Sequence, residues 1–301
     1  MSAERVDFWV ELPSPLKVSV RNAFYAFEKK IYDEKGIIIS SYFPSSMGGD
    51  MKNEDYLSDM SEGFIPENYL GMSFGEISST RFIKKLIYRD QEAEFFQKSI
   101  YSHNEIVAWF SETMVVDTKR LKGKPLPKSF IDLADPIYRG EVCIIGTPEI
   151  PDPLSPLFIF RKYGEKSMLN FIENIAGFGA PVNAIRHIGK NTNSFGSIFI
   201  MPLLFANVCR EVKGAVVVEP GEGYFAEPFV LLSKNAEDEK TMIIRDFLHS
   251  NEFENAFSEK DFLVSNKKND RKICDSCKAC YFPELEKIYP LLREKLGNFS
   301  K

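Results

Sequence analysis

Near the end of the chain three thiols stand at Cys274, Cys277 and Cys280, a C-x2-C-x2-C run. Thiolates at this spacing can face one soft ion, as zinc and iron–sulfur sites require. Zinc or an iron–sulfur cluster is therefore the cofactor the run allows, with a fourth ligand from Cys143, Cys209, His249 or an exogenous group. The other reading is three reduced thiols on a turn before a helix that starts at Pro283. Five cysteines, an odd number with three of them crowded, make a poor disulfide framework and fit a reducing compartment. His103, His187 and His249 are scattered and match no metal-ligand spacing. No G-x-S-x-G elbow, P-loop or G-x-G-x-x-G fingerprint is present, so no catalytic residue is assigned.

The elements that must position such groups alternate in type. Residues 5–11 (RVDFWVE) read as a strand. A helix follows from Ser14-Pro15, with the hydroxyl as cap and the proline in the first turn. Val20, Ala23, Phe24, Phe27 and Ile31 form one apolar face, and Gly36 ends the helix. Residues 36–43 (GIIISSYF) read as a buried second strand, completing a βαβ unit. Further strands are expected at 68–74, 106–117, 140–146, 197–201, 214–219 and 229–233. Helices are expected at 79–86, 165–176, 203–211 and 237–248. Strands alternating with helices imply an α/β protein with largely parallel sheets. Two such sets in 301 residues suggest two lobes. Ligands of open parallel sheets sit beyond the carboxyl ends of the strands, near helix N-termini, so a cleft between lobes is the expected site.

Composition narrows the partners. The net charge is −5 and the pI about 5.5, with short, interrupted lysine pairs, which argues against nucleic acid. No apolar run reaches the roughly 18 residues that a transmembrane helix needs. The N-terminus carries neither a basic n-region nor an apolar h-region. The chain as written reads as cytoplasmic, or as periplasmic if a signal has been removed.

Residues 125–140 (PLPKSFIDLADPIYRG) resemble the signature P-x-S-W-x-D-L-x-D-P-x-Y-K-G of type II periplasmic-binding proteins, the iron, polyamine and thiamine group of ABC-importer solute-binding proteins. Pro127, Ser129, Asp132, Leu133, Asp135, Pro136, Tyr138 and Gly140 fit, with Phe130 in place of Trp. Residues 113–120 (TMVVDTKR) resemble the family's a-Y-N-T-k strand, with Val116-Asp117 in place of Tyr-Asn. Residues 147–156 resemble its P-D-P-x-x-S turn, and 218–232 (VEPGEGYFAEPFVLL) its return crossing. The segment 12–18 is similar to a branch of uncharacterised binding-protein-like proteins from anaerobes. The resemblance covers about residues 5–265 and leaves out the cysteine tail. It implies a two-lobed fold, each lobe a mostly parallel sheet flanked by helices: 1–110 and 226–301 form lobe one, 111–225 lobe two, and the crossings a hinge that closes on ligand.

The same resemblance implies a set of ligand-binding residues. Hydroxyls and amides dominate it: Ser14, Ser45, Ser46, Ser73, Thr147, Asn191, Thr192, Asn193 and Ser194. Such groups at helix N-termini suit an anion or carboxylate. Glu11, Glu149, Asp152, Glu219, Glu222 and Glu227 suit instead a cation, a metal complex or an amine-bearing ligand; the alternative is that they face water. Met201 and Tyr224 complete the set. Iron-binding relatives place adjacent tyrosines in the return loop, whereas Tyr224 is followed by Phe225, so an organic ligand or a chelated metal is expected over direct ferric coordination. The expected function is non-catalytic capture of a small solute or metal complex, with an ABC permease as partner. The alternatives are an intracellular enzyme or metal-handling factor using the cysteine run, and a ligand-sensing regulator that contacts a partner protein.

Overall fold

The computed structural model describes residues 6–43, 67–72, 103–146, 152, 154–190, 196–258, 263–264, 288, 291 and 294. The chain divides into two compact units, Met1–Trp109 with Pro228–Lys268, and Phe110–Glu227 with Asn269–Lys301.

The first unit starts with β1 (Phe8–Val10), α1 (Ser14–Lys35), β2 (Ser41–Tyr42) and β3 (Asn68–Met72). β1 runs parallel to both β2 and β3. The apolar face read from the spacing of α1 is the one buried, with Val20, Phe24, Phe27 and Ile31 all inaccessible. Gly36 closes the helix at φ +68°, its N–H donating to the Tyr32 carbonyl at 2.9 Å. That left-handed cap is a position glycine fills without steric cost. The N-cap falls on Pro13, whose ring offers no oxygen, so Ser14 is the first helical residue and not the cap. The expected strand at 36–43 is shorter than read: only Ser41–Tyr42 pair, and Ile38 is exposed. Phe27 stacks on Phe247 at 4.1 Å, and Phe24 meets Phe247 edge-on at 4.9 Å. Phe247 lies in the helix Glu239–Leu248.

In the second unit the order is β4 (His103–Asp117), β5 (Val142–Ile144), α2 (Leu154–Tyr163), α3 (Glu165–Glu173), β6 (Ile175–Phe178), α4 (Pro181–His187), β7 (Ile198–Pro202), α5 (Leu203–Val208) and β8 (Ala215–Val218). β5 runs parallel to β6 and β7. β4 lies antiparallel to β7 on one side and to β8 on the other. β4 begins in the first unit, and β9 (Phe225–Ser233) returns to it, its last five residues antiparallel to β3. α6 (Glu239–Leu248), α7 (Asn251–Ser258) and β10 (Leu263–Val264) follow in the first unit, with β10 antiparallel to Ala108 and Trp109 of β4. The helix expected at 165–176 stops at Glu173, because Ile175–Phe178 is taken up as strand β6 beside β5.

Candidate functional site

The signature segment 125–140 is scaffold. It folds as two 3-10 turns, Phe130–Ala134 and Pro136–Tyr138. Asp132 accepts from the Ser129 N–H in a capping box, and Asp135 accepts from the Ile137 N–H at 2.9 Å. Asn174 binds the carbonyls of Leu133 and Asp135 at 2.8 and 2.7 Å. Glu222 of the return loop accepts from the Phe130 N–H at 2.7 Å and from the Tyr163 hydroxyl at 3.3 Å. Each signature carboxylate thus satisfies orphan amides at a turn end, which fixes how the return loop enters β9.

Asp117, at the far end of β4, is equally structural. It is fully buried and accepts from the backbone N–H groups of Lys119, Arg120 and Gly189, the last at 2.8 Å. Arg120 lies 3.5 Å from the carboxylate and donates to the carbonyls of His187 and Lys190. Gly189 sits at φ +78° with the Lys213 carbonyl 3.0 Å from where a Cβ would be, so glycine is required there. This network holds the 187–190 turn, the lead-in to expected ligand residues 191–194.

At the opposite edge the carboxyl ends of the parallel strands converge. Glu112 of β4 stands in register with Pro202, the last residue of β7. Asp152 follows β5, its N–H donating to the Ile145 carbonyl at 2.9 Å, and its carboxylate caps α2 by accepting the Leu154 N–H at 3.0 Å. Glu112 is 1% exposed and Asp152 8%. Burial pushes Glu112 well above the usual carboxylate range, and the negative charge of Asp152 adds to the rise. Burial raises Asp152 to about 7, opposed in part by the Leu154 N–H. At neutral pH the pair therefore holds a proton. Glu112 Oε2 has no hydrogen-bond partner among the described residues, and neither has the wholly buried Ser155 Oγ.

A pocket of about 320 Å³ opens on the same edge, between the ends of β5, β6 and β7 and helix α4. Ile144, Phe199 and Met201 supply its apolar wall, and Asn183 and His187 of α4 its polar one. This volume is at the small end of ligand pockets. Cys143 also lines it, but burial pushes that thiol up to about 12, so it stays protonated and unreactive. Cys209 is likewise buried, raised to about 11, with its Sγ 3.8 Å from the Phe205 carbonyl.

The expected site residues divide by location. Asp152 and Met201 reach the edge just described. Tyr224 is buried in the second unit, and its neighbour Phe225 packs on Phe130 and Phe158. The side chain of Glu219 is 69% exposed and pairs with Arg210 at 3.2 Å. In the first unit, buried Glu11 follows β1 and accepts from the Tyr69 hydroxyl at 2.9 Å, three residues before the first residue of α1. Ser14 and Glu227 are described by backbone only: Ser14 opens α1 and Glu227 lies within β9. Ser45, Ser46, Ser73, Thr147, Glu149, Asn191, Thr192, Asn193, Ser194, Cys274, Cys277 and Cys280 lie outside the described residues. His249, a possible fourth ligand for the thiol run, contacts Glu105 at 2.6 Å. Among the described residues no three of His, Cys, Asp and Glu group to hold a metal. The sequence reading missed Glu112. Its signal was the Ser111-Glu112-Thr113 break in an otherwise apolar strand.

The sequence pattern of the bacterial extracellular solute-binding protein family matches residues 37–278. No curated protein matches the sequence. Among solved structures, the periplasmic binding protein AfuA of Actinobacillus pleuropneumoniae, with fructose-6-phosphate bound, is similar over 97% of this chain and 98% of its own, at TM-score 0.60 and 16% identity. Iron-bound HitA of Pseudomonas aeruginosa covers 97% and 99% at TM-score 0.59 and 12% identity. The Trichodesmium protein IdiA (FutA), in complex with iron and citrate, covers 98% and 99% at TM-score 0.60 and 13% identity. At such identities the likeness is one of fold: the two-lobed type II periplasmic-binding-protein architecture. No helix among the described residues is long and apolar enough to cross a membrane.

Proposed function

The chain belongs to the bacterial extracellular solute-binding protein family, and from that premise we propose that it captures one small solute outside the cytoplasm and delivers it to an ABC-transporter permease. The observation that carries this reading is the carboxyl edge of the second unit. There a pocket of about 320 Å³ opens at the ends of β5, β6 and β7, with an apolar wall and Asn183 and His187 as polar lining. Pockets at the carboxyl ends of parallel strands are where open α/β sheets take ligands. The solute-engaging residues are Asp152 and Met201 together with Thr147, Glu149 and 191–194.

The solute is a small organic molecule or a chelated metal in preference to a bare ferric ion. Supporting this, Tyr224 is followed in the sequence by Phe225 and not by a second tyrosine, Phe225 is committed to an aromatic cluster, and β7 ends in Met201-Pro202. AfuA holds a sugar phosphate and IdiA holds iron with citrate, so the fold accommodates both kinds of cargo. Binding is accompanied by a hinge movement, since β4 and β9 each run from one unit into the other.

Thermal melts of the full chain against a panel of sugar phosphates, amines, carboxylates and metal chelates test the proposal. A true solute raises Tm by mass action, by about 2.7 kcal/mol of stability at 100 times its Kd. Small-angle scattering on the stabilised complex should show a smaller radius of gyration than the free protein. A flat response across the whole panel at millimolar concentration would sink the reading.

A further inference from the structure

The amino edge of the second unit carries a patch of charge that no run in the sequence announces. Three segments meet there: the turn after β4, the turn after α4 and the residues leading into β8. Lys119 Nζ donates to the Gly189 carbonyl at 3.1 Å, and the Lys119 stem passes 3.2 Å from where a Cβ on Gly214 would stand. The Lys213 carbonyl lies 3.0 Å from the equivalent point on Gly189. Arg120, beside buried Asp117, donates to the carbonyls of His187 and Lys190. Lys122 belongs to the same turn as Lys119, and Arg186 to the last turn of α4. Lys119, Lys122, Arg186, Lys190 and Lys213 are thus gathered around Gly189, and each is exposed. None of them has a carboxylate partner among the described residues, whereas Lys124, Arg210, Lys234 and Lys240 each pair with an acid. Across residues 118–123, 186–190 and 211–214 the exposed acid is Glu211, so the patch is strongly positive in a chain of net charge −5. Lys122 is held at φ +52°, a left-handed conformation that glycine or asparagine takes with less strain. A lysine does not stand there for the sake of the turn.

We propose that this patch docks the protein on an anionic bilayer, with lipid phosphates as the counter-charge. Four of the five cations are lysines, compact point charges on flexible stems that suit a diffuse plane of charge. A single bound phosphate would instead call for arginine forks. Without these five cations the chain is more negative than its net −5, so a long flexible polyanion is repelled beyond the patch, while a plane touches this edge alone. Each lysine or arginine at an anionic surface strengthens binding about fivefold. The attraction decays within a Debye length, so docking is reversible and salt-sensitive. The permease proposed above as delivery partner is embedded in such a bilayer, and docking keeps the protein in its neighbourhood. The pocket opens at the carboxyl ends of β5, β6 and β7, whereas the patch lies at the amino end of β7, where the Asp117 N–H meets the Ser197 carbonyl at 2.8 Å. A docked protein therefore holds its pocket away from the lipid and open to the medium, and leaves the surface to deliver.

Co-sedimentation of the full chain with vesicles tests this. The vesicles are phosphatidylglycerol mixed equally with phosphatidylcholine, or phosphatidylcholine alone, and soluble polyphosphate is the rival polyanion. The expected result is binding to the anionic vesicles, none to phosphatidylcholine, and loss of binding as salt rises from about 0.05 to 0.3 M. R186Q/K190Q/K213Q should bind about 100-fold more weakly. R21Q/K35Q/K166Q removes as much charge from exposed cations elsewhere and should stay within about twofold of wild type. K122G relieves the left-handed lysine, so it should raise Tm while weakening docking about fivefold. Three results would overturn the proposal: no sedimentation with anionic vesicles at low salt, equal binding by the two triple variants, or capture of polyphosphate without the vesicles, which would make the partner a soluble polyanion. None of these measurements involves a solute, so failure here leaves solute capture standing, and a flat response in the melts leaves docking standing.

Discussion

One strand carries two buried carboxylates with opposite fates. Asp117 at the end of β4 is fully buried, and its oxygens receive three backbone N–H groups and the Arg120 guanidinium. Glu112, earlier on the same strand, is just as buried, yet one oxygen has no partner among the described residues and the charge of Asp152 adds to the burial that raises its pKa. The first is used by the fold to fix the 187–190 turn. The second opposes folding whenever it ionises, and it is kept at the edge where ligands enter this architecture. Burial alone therefore does not separate structural from functional acids; the completeness of their partners does.

The comparison can be broken at several points. Replacing Asp117 by alanine strands the Arg120 guanidinium and three amides, and should cost about 3–5 kcal/mol in urea unfolding; a cost under about 1 kcal/mol would erase the distinction. Glu112→Gln should act in the other direction, stabilising the free protein at pH 8 by about 1–3 kcal/mol. That gain should itself depend on pH. The folded-state pKa values of Glu112 and Asp152 are raised above their unfolded values, to about 7 for Asp152. The stability from holding their proton is full below the unfolded value and is lost as pH rises through the folded one. The difference in Tm between E112Q and wild type should accordingly shrink from pH 8 to pH 5, and a constant difference would count against the buried pair. Removing Glu222 leaves the Phe130 N–H without its acceptor and should cost about 1 kcal/mol. Least affected should be Glu219→Ala, within about 0.5 kcal/mol, because its pair with Arg210 is exposed.

The fold was legible where local chemistry is strong. The period of α1, its glycine stop and the proline-aspartate signature each have one physical solution, and the structure adopts it. Segments whose state depends on a neighbour were harder. Ile37 to Ile39 look like a buried strand, but pairing with β1 begins only at Ser41. Ile175 and Ala176 look like the end of a helix until β5 is beside them to pair with. At the candidate site, turn chemistry and strand ends mark Asp152 and Met201 in the sequence, and both lie at the carboxyl edge of the second unit. Glu112 could not, because a single acid in an apolar strand gains its meaning from register, from facing the end of β7 and the cap of α2.

The most direct test of the central claim, that solute is captured at the carboxyl edge of the second unit, is hydrogen exchange on the full chain. It would compare the free protein with the first solute found to raise its Tm. The account predicts new protection in peptides covering 144–155 and 198–204, with the 187–190 turn held by Asp117 little changed. Protection confined to the first unit, or none in those two segments of the second, would contradict it.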